Sequence, residues 1–76
     1  MKITVKLFAF LRRGRFKIKE CDLPEGFTVG QVLDNLSISR EEMKIGIILI
    51  NGKHGKFDSI LHTDDTLAIF PPAAGG

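Results

Sequence analysis

The sequence predicts an α+β domain, a mixed sheet of four to five strands with one main helix on one face. Three observations carry this. Segments of two-residue alternation stand near both ends of the chain. A capped stretch of helical periodicity lies between them, and the element order reads β-β-α-β-(β)-β. With 76 residues, 43% of them hydrophobic and 26% charged, the chain has the size and make-up of one small globular domain.

Ile3, Val5, Leu7 and Ala9 alternate with Lys2, Thr4 and Lys6, the period of a half-buried strand. Phe8 and Phe10 then place aromatic rings on the face that Thr4 and Lys6 mark as polar. A turn around Arg13-Gly14-Arg15 leads into a second alternating run, Phe16, Ile18 and Glu20 against Lys17, Lys19 and Cys21, so the pair reads as a hairpin. Thr28-Val29-Gly30-Gln31 has capping-box spacing, and Phe27 and Val32 stand where a hydrophobic staple packs. Val29, Val32, Leu33 and Leu36 form one apolar face, which predicts a helix from Val29 to about Leu36. Ser39 to Glu42 repeats the cap spacing and predicts one further turn.

Ile47 to Ile50 is a dense β-branched strand closed by the turn pair Asn51-Gly52. His54 to Asp58 predicts a short or irregular strand, Thr63 to Thr66 a turn, and Thr66 to Phe70 the last strand. The β-grasp arrangement is the compact solution for this order. Its first and last strands lie side by side at the centre of the sheet, so Ile3, Val5, Leu7, Leu67 and Ile69 meet the helix. Phe8, Ala68 and Phe70 then share the uncovered face. The domain accordingly spans residues 1–70, and residues 71–76 form an extended, flexible tail.

Several classes of function are excluded. A net charge of +2 is too weak for a nucleic-acid binder, and the basic cluster Arg12, Arg13, Arg15, Lys17 and Lys19 fits a solvated hairpin. No apolar run is long enough to span a membrane, and the amino terminus opens on a strand pattern rather than a signal peptide. One cysteine, Cys21, makes no internal disulfide, which fits a cytoplasmic location, and cannot hold an iron–sulfur cluster. No Walker-type loop, CxxC pair or metal-protease motif is present. His54 and His62 have no nucleophile at a recognisable spacing. The chain reads as no enzyme on its own, with no metal and no bound cofactor.

The remaining reactive group is the α-carboxylate of Gly76. Pro71 and Pro72 cannot donate to a sheet ladder and end the last strand. The segment Pro71-Pro72-Ala73-Ala74-Gly75-Gly76 then spans up to roughly 20 Å, enough to reach the bottom of a narrow channel in another protein. Attack of the carboxylate on the α-phosphate of ATP would give an acyl-adenylate, and a persulfide displacing AMP would leave a thiocarboxylate. Glycine leaves both faces of that carbonyl open. All catalytic groups for these steps must come from partners.

Val5-Lys6-Leu7-Phe8-Ala9-Phe10-Leu11-Arg12, Thr28-Val29-Gly30-Gln31-Val32-Leu33, Ile50-Asn51-Gly52 and the run from Asp65 to Gly76 carry a resemblance. The chain resembles the MoaD/ThiS family of ubiquitin-like sulfur carriers, most closely the small subunit of molybdopterin synthase. The Phe-Pro-Pro-x-x-Gly-Gly ending is its most specific part. The family's Asp-Gly-Asp turn reads Thr63-Asp64-Asp65 here, and Ala73 stands where a branched residue is usual.

The resemblance implies that an E1-like enzyme adenylates Gly76 with ATP and that the carboxylate becomes a thiocarboxylate. It implies insertion of the tail into a large catalytic subunit, in a heterotetramer of two small and two large subunits. Sulfur then passes to a pterin precursor to form the dithiolene that holds molybdenum or tungsten. It also implies that Phe8 and Phe70 lie at the subunit interface, with Ala68, Pro71, Pro72, Ala73, Ala74 and Gly75 leading to the sulfur-carrying Gly76. Three other readings stay open. Gly76 could form isopeptide bonds as a protein modifier, or carry sulfur toward thiazole or tRNA. A plain interaction module with an inert tail is the third.

Overall fold

In the computed structural model, which describes residues 1–72, strand β1 (Lys2–Leu7) is an interior strand of a five-stranded sheet. Strand β2 (Ile18–Asp22) pairs with it antiparallel, and the last strand β5 (Thr66–Phe70) pairs with it parallel. Strand β3 (Ile47–Ile50) lies antiparallel to β5, and the short β4 (Lys53–His54) closes the far edge. The order β2-β1-β5-β3-β4 with two parallel central strands is the β-grasp topology expected of this element order. Residues 73–76 lie outside the described residues, and with them the expectations placed on Ala73, Ala74, Gly75 and Gly76.

Helix α1 (Val29–Asn35) covers one face. Its capping box is complete: the Thr28 hydroxyl accepts from the Gln31 amide, and the Gln31 side chain accepts from the Thr28 amide at 2.9 Å. Two of its first amides are met by the loop after β4, Val29 donating to Ser59 and Gly30 to Phe57. The Arg40 guanidinium lies over Gly30, where a Cβ would come within 2.6 Å of that group unless the arginine moved aside. Arg40 holds its place by donating to both oxygens of Asp34, at 3.0 and 2.7 Å. The single turn α2 (Arg40–Met43) begins at Ser39, whose hydroxyl accepts from the Glu42 amide.

Alternation decides what is inside. Ile3, Val5 and Leu7 of β1 and Leu67 and Ile69 of β5 are buried against Val29, Val32 and Leu33 of α1. Ile38, Met43, Ile48, Leu11 and Leu61 complete the core. The β3–β4 turn uses Asn51 and Gly52 at φ of 51° and 82°, the pair of left-handed residues a two-residue hairpin requires. Asn51 also clasps β5: its Nδ2 donates to Asp65 Oδ1, and its Oδ1 accepts from the Thr66 amide, both at 2.8 Å. Asp65 in turn accepts from the His62 amide. Asp64 takes φ of 71°, so this turn reaches the left-handed region without a glycine.

Two expectations change. The alternation of β1 does not extend to Ala9 and Phe10, because Ala9 turns at φ 52° and residues Ala9–Arg12 form a short 3-10 helix. Leu11, buried in the core, and the Arg12 Nε bond to the Leu7 carbonyl at 2.7 Å hold that turn against the sheet. The hairpin connection is therefore a folded loop, further tied by Arg15, which donates to the carbonyls of Leu11, Leu36 and Ser37. The strand expected over His54 to Asp58 shrinks to β4. There Lys56 donates to the Ser59 hydroxyl and Ser59 donates back to the Lys56 carbonyl, curling the chain toward α1.

Candidate functional site

The site is built at the end of β5. Phe8 keeps an extended backbone, φ −125° and ψ 156°, so the alternation of Lys2, Thr4 and Lys6 carries its ring to the uncovered face. Its amide donates to the Ile69 carbonyl, which fixes it beside β5. Phe70 ends β5 on the same face. The two rings stack with centroids 4.0 Å apart and planes 12° from parallel. The Arg12 guanidinium lies 5.2 Å from the Phe8 ring centroid, within cation–π range.

Register fills in the rest of the face. Ala68 lies between Lys6 of β1 and Leu49 of β3, and Ile47 is opposite Phe70. Ile18, opposite Lys6 on β2, extends the face toward the other edge. Ile47 and Ile18 are 47% and 55% exposed, so the stacked pair sits within an open apolar patch. Pro71 and Pro72, both half-buried, leave this patch toward residues 73–76.

Phe8, Ala68, Phe70, Pro71 and Pro72 are thus brought together as the sequence leads one to expect. Ile18, Ile47, Leu49 and Arg12 were not anticipated. Their membership depends on strand register and on the 3-10 turn, and the only local hint was that Ile47 alternates with the core residue Ile48. Phe10, in the 3-10 turn and 37% exposed, is no part of the ring stack.

Among the described residues no group of three or more histidine, cysteine or acidic side chains is placed to hold a metal. His62 is exposed, with Nδ1 3.9 Å from the Asp65 carboxylate, and His54 stands on the edge strand. No helix among the described residues is long and apolar enough to cross a membrane. Cys21 lies opposite Ile3 on β2, at the end of β1 away from Leu7 and the Ile69–Phe70 end of β5, and on the helix-facing side of the sheet. Burial pushes its thiol above the ordinary cysteine value, Lys19 opposes that and Asp22 adds to it. At neutral pH this is a packed thiol rather than a nucleophile. Replacing Cys21 by Ser should leave single-turnover sulfur transfer from a chemically prepared Gly76 thiocarboxylate nearly unchanged. A large loss with the fold intact would put Cys21 on the sulfur path.

A β-grasp sheet in this strand order, its last strand running out through two prolines beside a stacked aromatic pair, is a ubiquitin-like fold. The chain belongs to the ThiS family, whose model matches residues 5–76. Among solved structures it is similar to SAMP1 of Haloferax volcanii, at 28% identity and a TM-score of 0.74, with 100% of both chains covered. It is also similar to a Pyrococcus furiosus protein assigned as molybdopterin converting factor, subunit 1, at 28% identity and a TM-score of 0.72, covering 96% of this chain and 99% of that one. In fold it matches one chain in the structure of the complex of subunits 1 and 2 of the molybdopterin-converting factor of Helicobacter pylori, at 16% identity and a TM-score of 0.64, over 100% of this chain and of that one. No curated protein matches the chain.

Proposed function

We propose that the chain is the sulfur carrier of a molybdopterin synthase, its small and non-catalytic subunit, with Gly76 as the sulfur-bearing residue. The observation that carries this reading is the Phe8–Phe70 stack at the root of the Pro71-Pro72 segment. A docking surface beside a carrier terminus must hold a partner while the terminus reaches the partner's active site, and half-buried aromatic rings flanked by exposed Ile18 and Ile47 suit that task. The likeness to the Pyrococcus furiosus protein supports the pathway.

In this reading an E1-like partner binds ATP, and the chain itself holds no cofactor. The Gly76 carboxylate attacks the α-phosphate and pyrophosphate leaves. A partner's persulfide then displaces AMP to give an acyl disulfide. A thiol cleaves its sulfur–sulfur bond, taking one sulfur into a new disulfide and leaving the Gly76 thiocarboxylate. The large catalytic subunit receives the tail, with Pro71, Pro72, Ala73, Ala74 and Gly75 along its channel and Phe8, Ala68 and Phe70 against its surface. Sulfur passes there to a pterin precursor to build the dithiolene for molybdenum or tungsten.

Phe70→Ala should weaken binding to the large subunit by about 2 kcal/mol or more, as loss of a buried aromatic anchor does. Titration calorimetry measures it. Unchanged affinity would remove Phe70 from the interface.

The likeness to SAMP1, a small archaeal modifier protein, favours a second reading in which Gly76 is joined to target lysines. Activation begins identically, so the product discriminates. Mass spectrometry of the activated chain shows a sulfur-for-oxygen exchange for the carrier, and a denaturing gel shows conjugate ladders for the modifier.

A further inference from the structure

Around the β4 edge from the aromatic face lies an open cavity of about 280 Å³, which the carrier reading does not use. Buried Met43 and Ile48 and half-buried Phe57 form its floor. Lys44, His54 and Lys56 stand at its exposed margin, and none of the residues lining it is acidic. Gly46 and Gly55 are its bare walls. A Cβ on Gly46 would meet the Met43 methyl at 2.6 Å and the Phe70 carbonyl at 2.7 Å, and one on Gly55 would meet Ile50 Cδ1 at 2.8 Å.

Charge and topology together describe what fits. Lys44 pairs with Glu41 at 2.8 Å, but both side chains are largely exposed, so a competing carboxylate displaces that contact at little cost. His54 and Lys56 make no ion pair with an acidic residue among the described residues. The cavity is slightly smaller than the ~300–1,000 Å³ of typical small-molecule sites, which suits one apolar side chain. β4 is an outermost strand of the sheet, so its outer backbone edge faces no other strand and can take an extended segment. Gly46 also adjoins the Phe70 carbonyl, so a partner that holds the tail comes within reach of the cavity.

We propose that this cavity and the β4 edge dock an extended acidic segment of a partner protein. One apolar side chain of the segment rests on Met43, Ile48 and Phe57, and its flanking carboxylates meet Lys44 and Lys56. The docking does not depend on what Gly76 carries, so it stands or falls separately from the sulfur-carrier reading.

The test is an amide NMR titration of the isotope-labelled full chain at low salt. The probes are a blocked peptide of sequence Glu-Leu-Glu-Glu and its Gln-Leu-Gln-Gln analogue. The glutamate peptide should give saturable shifts at Gly46, His54, Gly55 and Lys56. A Lys44→Glu, Lys56→Glu double variant, its fold confirmed by the rest of the spectrum, should bind about tenfold more weakly, because two exposed attractions become repulsions. Absence of shifts, equal binding by the glutamine peptide, or equal binding by the double variant would overturn the proposal. Shifts centred instead on Arg13 to Lys19 would also overturn it, since the peptide would then be following the basic loop.

Discussion

A chain ending at Gly75 should keep its fold and lose sulfur transfer. The buried core runs from Ile3 to Ile69, so removing Gly76 takes nothing from it. The chemistry is far less tolerant. Each extended residue advances the chain by roughly 3.3–3.6 Å, so the shortened terminus falls short of its reaction site by about that length. A displacement of only about 1 Å at a reacting centre costs on the order of a hundredfold in rate, and near-attack geometry needs the reacting atoms within about 3–3.5 Å. The expected result is no detectable thiocarboxylate after incubation with the activating enzyme, ATP and a persulfide donor, with an unchanged circular dichroism spectrum. Equal product from the truncated chain would end the carrier reading. Loss of product together with loss of the spectrum would instead show that the terminus contributes to folding.

Leu67→Ala should have the largest effect on the fold itself. Leu67 is fully buried at the centre of the sheet, beside Val5 on β1 and opposite Ile50 on β3. Truncating a buried leucine costs about 2–5 kcal/mol, because lost transfer energy adds to an unfilled cavity. A domain of 76 residues has a total stability of about 4–11 kcal/mol at ~0.05–0.15 kcal/mol per residue. The substitution therefore removes a large share of it, and thermal unfolding should shift down by at least about 8 °C, at ~4–8 °C per kcal/mol. Ile60→Ala is the control: Ile60 is 54% exposed and should cost no more than about 0.5 kcal/mol. A Leu67→Ala chain melting within a few degrees of the parent would show that β5 is not the keystone of the sheet. The consequence is functional too, since β5 carries Phe70 and the tail at its end.

The helix was legible residue by residue, because its signals are local. Thr28 and Gln31 make the cap they spell, and Val29, Val32 and Leu33 are buried on the face their spacing defines. β3 and β5 begin and end where the β-branched runs and turn residues place them. The first hairpin was harder. Ala9 continues the apolar alternation in sequence, yet turns left-handed in the structure, because Leu11 gains more by entering the core than Ala9 does by extending a strand. Leu11 shows its apolar character in the sequence, but that it enters the core is settled only by the packing around it.

The candidate site divides in the same way. Phe8, Phe70 and the prolines are named by parity and by the chain's last strand, whereas Ile47, Leu49 and Ile18 join them through pairing with β5 and β1. The sequence by itself determined the element order, the helix and its cap, and the two prolines that end the last strand. Those follow from periodicity, capping and covalent structure, which act over a few residues. Only the tertiary structure decided that Phe8 and Phe70 stack, that Arg12 lies over the Phe8 ring, and that Gly46 and Gly55 wall a basic-rimmed cavity. The ring stack and the cavity depend on pairing between segments distant in sequence, and the Arg12 contact on the 3-10 turn held by Leu11; all are set by how the buried side chains pack at once.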